Sequence, residues 1–482
     1  MRVYFLGICG AAMGNAALLL KSLGHEVSGS DENVYPPMSD VLAEAGVSVR
    51  RGFDAGELAS AEPELVVVGN AVSRGNPEVE WLLSEKRFPM TSLPELVSRF
   101  LLSGRNPIVV AGTHGKTTTS ALAAHLLRET GVSPGYFIGG VPRGFARGAE
   151  TGAEGAPFVI EGDEYDSAFF DKRSKFIHYR PHILVVNNIE FDHADIFRDL
   201  DDVRRTFAHL FKLVPANGWI LANGDDPHCP VAEDVPWTRV VRVGLDDAND
   251  LVIRDFSEGD SGSAFTLVWR GRTWRTVRWN HGGVHNARNA AMAALAAAMA
   301  LHPEDPTRFA LDSLSGFAGV RRRLDLRARS ACISVFEDFG HHPTAVRHTL
   351  RSLRNRFPGA EICAVLEPRS NTMRRRCLQE SLIEALAGAD RALLGAVDRG
   401  ESLAAAERLD TAAVAAELTE RGRDGRAFRR NEEILAELAR TEPEPGGRRR
   451  IVVFFTNGAF GGIIGRYASS VAGASARREA VR

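Results

Sequence analysis

The sequence predicts an α/β protein of three consecutive domains with mainly parallel sheets. The chain has 482 residues, about three domains at the usual domain size. Short β-branched runs recur along it, each followed by a glycine loop and a helical pattern, and that alternation marks βαβ units with parallel strands. A composition of 44% hydrophobic and 25% charged residues is that of an ordinary globular protein, and each domain is long enough to bury its own core.

Taken in order, residues 3–6 read as a strand, 14–23 as a helix ending at Gly24, and 27–29 and 65–68 as further strands of a first domain, 1–104. The second domain, 105–318, opens with a strand at 108–111, a loop, and a helix over 117–129 that stops at Gly131, a suitable C-cap. Strands at 158–160 and 183–186 follow, and an alanine-rich helix at 287–301 closes it. The third domain, 319–482, has strands at 333–336, 362–366 and 451–455, and its last stretch, SSVAGASARREAVR, reads as a frayed tail.

The bulk numbers exclude several classes. Lys plus Arg (59) nearly balance Asp plus Glu (61), so a net charge of −2 gives no reason to expect nucleic acid or membrane as partner. The basic runs 374–376 and 448–450 read as solvated surface. Five scattered cysteines without C-x-x-C spacing suggest neither a zinc site nor a disulfide framework. The N-terminus passes straight from a strand into a glycine turn, unlike a signal peptide, and no window has the apolar length of a membrane span. The expected location is the cytoplasm.

The most informative motif is Gly112-Thr113-His114-Gly115-Lys116-Thr117-Thr118 between a buried strand and a helix. Backbone N–H groups at such a loop and helix start cradle phosphate oxygens. Lys116 can reach the β- and γ-phosphates of ATP, and the Thr117 hydroxyl is placed for Mg²⁺. A full Walker pattern wants glycine where Val110 stands, so the loop is a shortened variant.

Ligands of open α/β sheets gather beyond the carboxyl ends of the strands. Glu161, first past its apolar run, is placed to share the Mg²⁺ with Thr117, whereas Asp163 reads as a solvated acidic turn. His193, in the loop after the 183–186 strand, could ligate a second metal, stabilise transition-state charge, or be structural. The N-terminal loop from Gly7 through Cys9, Gly10 and Met13 to Gly14, with Asp31 after the next strand, has the layout of a nucleotide-binding βαβ unit. Cys9 occupies a fingerprint glycine position, so NAD is weakly supported and another nucleotide diphosphate fits equally well. Asp31 reads either as a ribose or uracil contact or as a turn former. Of Arg321, Arg322 and Arg323 at the boundary of the third domain, one could reach a γ-phosphate while the others lie on the surface. Polar loops at 337–344, 367–372 and 456–462 suggest a second binding face.

Together these residues resemble the Mur ligase family, which assembles the peptide of bacterial cell-wall precursors. The resemblance rests on the 112–118 loop, Glu161, Asp192-His193, His285-Asn286-Ala287-Arg288-Asn289, Arg323, and Asp338 with His341-His342-Pro343, and it spans most of the chain. The segments FFDKRSKFIHY (169–179) and LEPRSNTM (366–373) resemble the recycling branch of the family more than the branch that adds L-alanine. Gly162 and Ala459 depart from the family pattern, where alanine and glycine are expected.

The resemblance implies an ATP- and Mg²⁺-dependent, ADP-forming amide ligase with an N-terminal UDP-sugar domain, a central ATP domain and a C-terminal domain that admits the amine. The implied reaction phosphorylates the lactyl carboxylate of UDP-N-acetylmuramate, and the amine of L-Ala-γ-D-Glu-meso-diaminopimelate attacks the acyl phosphate. Lys116, Glu161 and His193 would be catalytic, with Thr117, Glu161 and His193 at metal. Asn289, Arg323, Asp338 and His341 would join the phosphate loop in holding ATP. Gly7, Cys9, Gly10, Met13, Asp31 and Ser73 would hold the UDP-sugar, and Arg369, Ser370 and Asn371 the peptide. A nicotinamide dehydrogenase is a rival that leaves the 112–119 loop unexplained. A folate- or cyanophycin-type ligase would lack or alter the N-terminal domain, and a non-catalytic ATP sensor would not need Lys116, Glu161 and His193 together.

Overall fold

The structure, a computed structural model, describes residues 1–443 and 446–479. Three sheets follow one another along the chain, with a small two-stranded ribbon besides. The first has five parallel strands with Arg2–Leu6 at its centre, between Glu26–Asp31 and Leu65–Val68. Val3 and Phe5 pack into one apolar cluster and Tyr4 and Leu6 into another, so both faces of this strand are covered, as a parallel sheet requires. Gly29 is needed here, because a Cβ would lie 2.3 Å from the Phe5 carbonyl oxygen of the adjacent strand.

The second sheet has ten strands. Pro107–Ala111 runs parallel between Phe158–Gly162 and Ile183–Val186. The loops that leave these three strands therefore emerge at one edge. Glu161 lies within its strand, not beyond it. Two helices, Lys116–Glu129 and Val284–Leu301, pack against each other and the sheet. Their contact is built from small residues, among them Ala121, Ala124, Ala290, Ala294 and Ala297, all fully buried.

Past Ile183–Val186 the sheet continues through Trp219–Asn223 and Arg239–Gly244 into an antiparallel meander, Leu251–Gly259, Gly262–Trp269 and Arg272–Trp279. The expectation of mainly parallel strands missed this meander. The second of its turns has Arg270 and Gly271 at φ 45° and 81°, the left-handed pair of a tight hairpin. At the first turn Glu258 accepts hydrogen bonds from Gly283 N–H (2.6 Å) and from Ser352 (2.8 Å) and Asn355 (2.9 Å) on the helix Pro343–Arg356 of the third region.

The third sheet has six strands, with Ile333–Asp338, Arg450–Phe455 and Glu361–Leu366 adjacent and parallel. Asp325–Arg329 closes one edge antiparallel. The expected frayed tail is helical through Glu479, within Ile463–Glu479, while 480–482 fall outside the described residues. Ile463, Ile464, Tyr467 and Val471 recur every three or four residues and bury into the sheet, which holds the helix down. Nor are the basic runs wholly solvated. Arg450 is buried and its guanidinium meets Glu361 and Thr441, and buried Arg374 donates to Asn371 Oδ1 at 2.9 Å. None of the five cysteines is in a disulfide, and among the described residues no helix is long and apolar enough to cross a membrane.

Candidate active site

The phosphate loop is strapped to the loop after Ile183–Val186. Thr113 N–H donates to the Asn188 carbonyl oxygen (3.2 Å), His114 N–H to Asn188 Oδ1 (2.7 Å), and Glu190 N–H to Thr113 Oγ1 (2.9 Å). Gly115 has φ 82°, and a Cβ there would come within 2.6 Å of Asn289 Oδ1. Gly112, at φ 130°, lies against the Asn187–Asn188 backbone, where a Cβ would come within 3.0 Å of Asn188 N. A helix starts immediately, at Lys116, so its unpaired first-turn amides, Thr118 included, open at the loop.

Charge is concentrated beneath this loop. Lys116 Nζ donates to Glu164 Oε2 and to the Gly112 carbonyl oxygen, both at 2.7 Å. His193 Nε2 lies 3.3 Å from the other oxygen of Glu164, an ion-pair distance. Asp163 pairs with Lys175 at 2.5 Å. Beside them the Thr117 hydroxyl donates to Glu161 Oε2 (3.2 Å), whose second oxygen accepts from Gly139 N–H (2.7 Å). Arg323, from the third region, reaches across to Thr117 Oγ1 at 2.9 Å, and its guanidinium lies over the Phe339 ring.

The environment sets the charges. Burial would discharge Lys116, but Glu164 and Asp163 outweigh it and raise its pKa. Burial likewise opposes His193, yet Glu164, Asp192 and Asp163 hold it protonated, with a pKa of about 9. Glu161 behaves oppositely: burial pushes its carboxyl up, only partly offset by Gly139 N–H and Arg323. A carboxylate and a hydroxyl 3.2 Å apart form the small all-oxygen donor set that suits Mg²⁺, which keeps most of its waters. With the glycine loop and Lys116 beside them, these residues fit a nucleotide with its magnesium.

Several expectations need correction. Asp163 is not a solvated turn: its carboxylate, that of Glu164 and the His193 ring offer donor atoms within 4.8 Å of one another. Glu164, fully buried and the direct partner of Lys116, escaped notice as a site residue because it looked like one more acid in an acidic loop. Arg322 is half-buried and tied down: its guanidinium binds Glu337 and the carbonyl oxygens of Thr456 and Gly458. His341 turns its ring to Phe339, and it is His342 whose ring lies 4.5 Å from that of His114. Both oxygens of Asp338 accept backbone N–H groups, from Leu324 (2.9 Å) and Gly340 (2.6 Å).

The N-terminal loop is differently built. Gly7 and Ile8 N–H groups donate to the Ser30 carbonyl oxygen, and Gly10 N–H to that of Gly7. Cys9 N–H donates to Asp31 Oδ2 (2.9 Å) and Asn33 N–H to Asp31 Oδ1 (2.8 Å), so Asp31 acts as a turn former. Met13 is buried in the core of the first sheet, which leaves only its backbone for a ligand. Ser73 is exposed beside this loop, following Val72, against which a Cβ on Gly7 would pack at 3.3 Å. In the third region Arg369 lies across Gly458, half-exposed and 3.9 Å from Asp398. Ser370 Oγ accepts from Met373 N–H (3.1 Å), and Asn371 Nδ2 donates to Asp195 (2.7 Å), two residues past His193.

A glycine loop, a buried lysine and strand-end carboxylates, bridged by an arginine from a neighbouring region, define a nucleotide-dependent enzyme of the phosphoryl-transfer class. Comparison with known proteins narrows this. Residues 2–105, 110–298 and 322–457 match the Mur ligase family catalytic domain, the Mur ligase middle domain and the Mur ligase glutamate ligase domain. The chain is 43% identical to the UDP-N-acetylmuramate–L-alanyl-γ-D-glutamyl-meso-2,6-diaminoheptandioate ligase of Escherichia coli, over 82% of this chain and 84% of that one. It is 34% identical to a UDP-N-acetylmuramate–L-alanine ligase of Paenarthrobacter aurescens, over 82% of each. Among solved structures, a murein peptide ligase of Psychrobacter arcticus is 35% identical, with a TM-score of 0.72 and coverage of 98% of this chain and 99% of that one. The chain belongs to the Mur ligase family, whose members are ATP-dependent, ADP-forming ligases.

Proposed function

We propose that this enzyme joins the amine of L-Ala-γ-D-Glu-meso-diaminopimelate to the carboxylate of UDP-N-acetylmuramate, in the cytoplasm, as a step of murein recycling. The observation that carries this reading is the 43% identity to the tripeptide ligase, against 34% for an L-alanine ligase over the same share of the chain. Residues 1–104, 105–318 and 319–482 would bind UDP-sugar, ATP and peptide in turn.

In this reading ATP supplies the phosphoryl group, and Thr117 and Glu161 would hold the Mg²⁺ that would screen its charge. Two anions, the sugar-acid carboxylate and the γ-phosphate, must meet in line, and the protein's work is to neutralise and orient them. Lys116 leaves Glu164 for the phosphate oxygens. Protonated His193, at the same carboxylate, adds positive charge beside the developing acyl phosphate or, once deprotonated, a metal ligand. Arg323 supplies a further cation from the third region, and Asn289 backs the loop at Gly115. The amine enters by the 369–371 loop, which touches the His193 loop through Asn371 and Asp195. There Arg369 takes a peptide carboxylate.

Phosphate release from ATP with UDP-N-acetylmuramate tests this, comparing the tripeptide with L-alanine. Strong turnover with the tripeptide and little with L-alanine is expected; the reverse would make this an L-alanine ligase on the same fold. Arg369→Ala should raise the KM of the tripeptide about tenfold or more, as expected for loss of a charge-assisted hydrogen bond. The KM of ATP should hardly change, and an equal effect on both would remove Arg369 from the peptide site.

A further inference from the structure

A second group of ionisable side chains meets at the seam between the middle and C-terminal regions, apart from the cluster around Lys116. His114 comes from the phosphate loop and Glu190 from the loop after Ile183–Val186. His342 is the N-cap of the helix Pro343–Arg356. One donor atom from each lies within 4.8 Å of the others. His114 Nε2 stands 3.6 Å and His342 Nδ1 3.7 Å from the same oxygen, Glu190 Oε2.

Each residue turns a donor atom toward the same point. His114 Nε2 is buried and has no hydrogen-bond partner, an unsatisfied atom that calls for a ligand. His342 Nε2 is 3.1 Å from the Phe191 carbonyl oxygen, which requires the proton on that nitrogen and leaves Nδ1, 3.7 Å from Glu190 Oε2, as the atom with a lone pair. Nδ1 caps the helix by accepting from Thr344 N–H at 3.3 Å, a long hydrogen bond that an ion would replace. Glu190, half-buried beside the two rings, presents the same carboxylate oxygen to both of them. The Thr344 hydroxyl steadies its Oε2 at 2.5 Å. Metal-binding histidines and carboxylates are anchored by such outer partners.

We propose that His114, Glu190 and His342 bind a zinc-class transition-metal ion, and that this ion staples the C-terminal region onto the phosphate loop. Two imidazoles and one carboxylate favour zinc, cobalt or nickel over magnesium. Ligands at zinc distances in a tetrahedron lie about 3.4 Å apart; each nitrogen is within tenths of an ångström of that spacing from Glu190 Oε2, at 3.6 and 3.7 Å, and the two nitrogens lie within 4.8 Å of each other. The fourth position is left for water. Because two ligands belong to the middle region and one to the C-terminal region, the bound ion resists their separation, and an enzyme that must open to exchange substrates is slowed.

The test uses the full chain with excess Mg²⁺ and Co²⁺ as the probe, followed by visible absorption. One equivalent of Co²⁺ should give the intense bands of a tetrahedral site, in the wild type and equally in His193→Gln. His342→Gln and Glu190→Gln should each weaken binding by more than the about 100-fold that loss of an outer partner costs. Bands that survive both substitutions, or vanish only in His193→Gln, overturn the site. Anomalous scattering at the zinc edge from wild-type crystals locates the ion without any variant, and density elsewhere overturns it as well. The staple itself rests on the ligase reading. Micromolar Zn²⁺ should suppress phosphate release in the wild type, with the ratio of rates with and without Zn²⁺ returning towards one in His342→Gln. Equal inhibition of both would sink the staple. The absorption arm needs no turnover, so a failed ligase assignment shows as absent phosphate release with the bands intact.

Discussion

The two glycine loops of this chain are the same supersecondary unit put to opposite uses. Gly7–Gly14 and Gly112–Thr118 both connect the central strand of a parallel region to a helix. In the first, loop amides are spent within the domain, on Ser30, Gly7 and the Asp31 carboxylate. In the second, Lys116, Glu161, Asp163, Glu164, His193 and Arg323 crowd around the loop, and an arginine from another region already touches it. The first loop is therefore distinguished by a shape fixed by its own hydrogen bonds, and the second by the charge gathered around it. A shape site tunes affinity, whereas a charge site is where a barrier is lowered.

The largest effect expected from that contrast is on turnover. Lys116→Met should lower kcat by about 10³-fold, the scale of losing one preorganised charge at a reacting centre, with a small change in the KM of the UDP-sugar. A steady-state comparison decides it, and a loss confined to KM would erase the distinction between the loops.

Next comes the charge on His193. Glu164→Gln removes its largest attractive partner, so its pKa should fall from about 9 towards or below the ordinary 6.5. NMR titration of the imidazole reads this directly. Because the folded pKa lies above the unfolded one, the pair stabilises the fold fully below pH 6.5 and ceases to do so as pH rises through about 9. Wild-type melting temperature should decline across that window more steeply than that of Glu164→Gln. An unchanged His193 titration would mean that Glu164 is not what holds its proton.

The smallest effect belongs to the first loop. Asp31→Ala strands two N–H groups, those of Cys9 and Asn33, at about 1–3 kcal/mol of stability. Chemical denaturation should show that loss, and the KM of the UDP-sugar should rise with kcat nearly unchanged. A fall in kcat to match Lys116→Met would give both loops the same role.

How far the sequence could be read follows the same division. Strands 65–68 and 183–186 coincide with the observed Leu65–Val68 and Ile183–Val186, because four consecutive apolar residues buried on both faces leave no ambiguity of register. The meander at 251–279 went unread because its outward positions carry Arg254, Arg272, Arg275 and Arg278, which hide the alternating inward ones. The glycine loop with Lys116 was legible since its backbone demands are local. The partnership of Glu164 with Lys116 and His193 was not, because it depends on three strands delivering their loops to one edge. Arg450 looked like surface for a similar reason: nothing near it in the chain announces Glu361.

Glu258, at the tip of the meander, grips Gly283 at the start of one helix and Ser352 and Asn355 along another. The hairpin thus works as a gauge whose length sets how the third region meets the second. Removing two consecutive residues from each of its two strands would keep the alternation of faces yet withdraw the carboxylate by two strand positions, about 7 Å. Sequence drift in this ribbon could then reset the angle between distant binding surfaces while leaving every reacting group untouched.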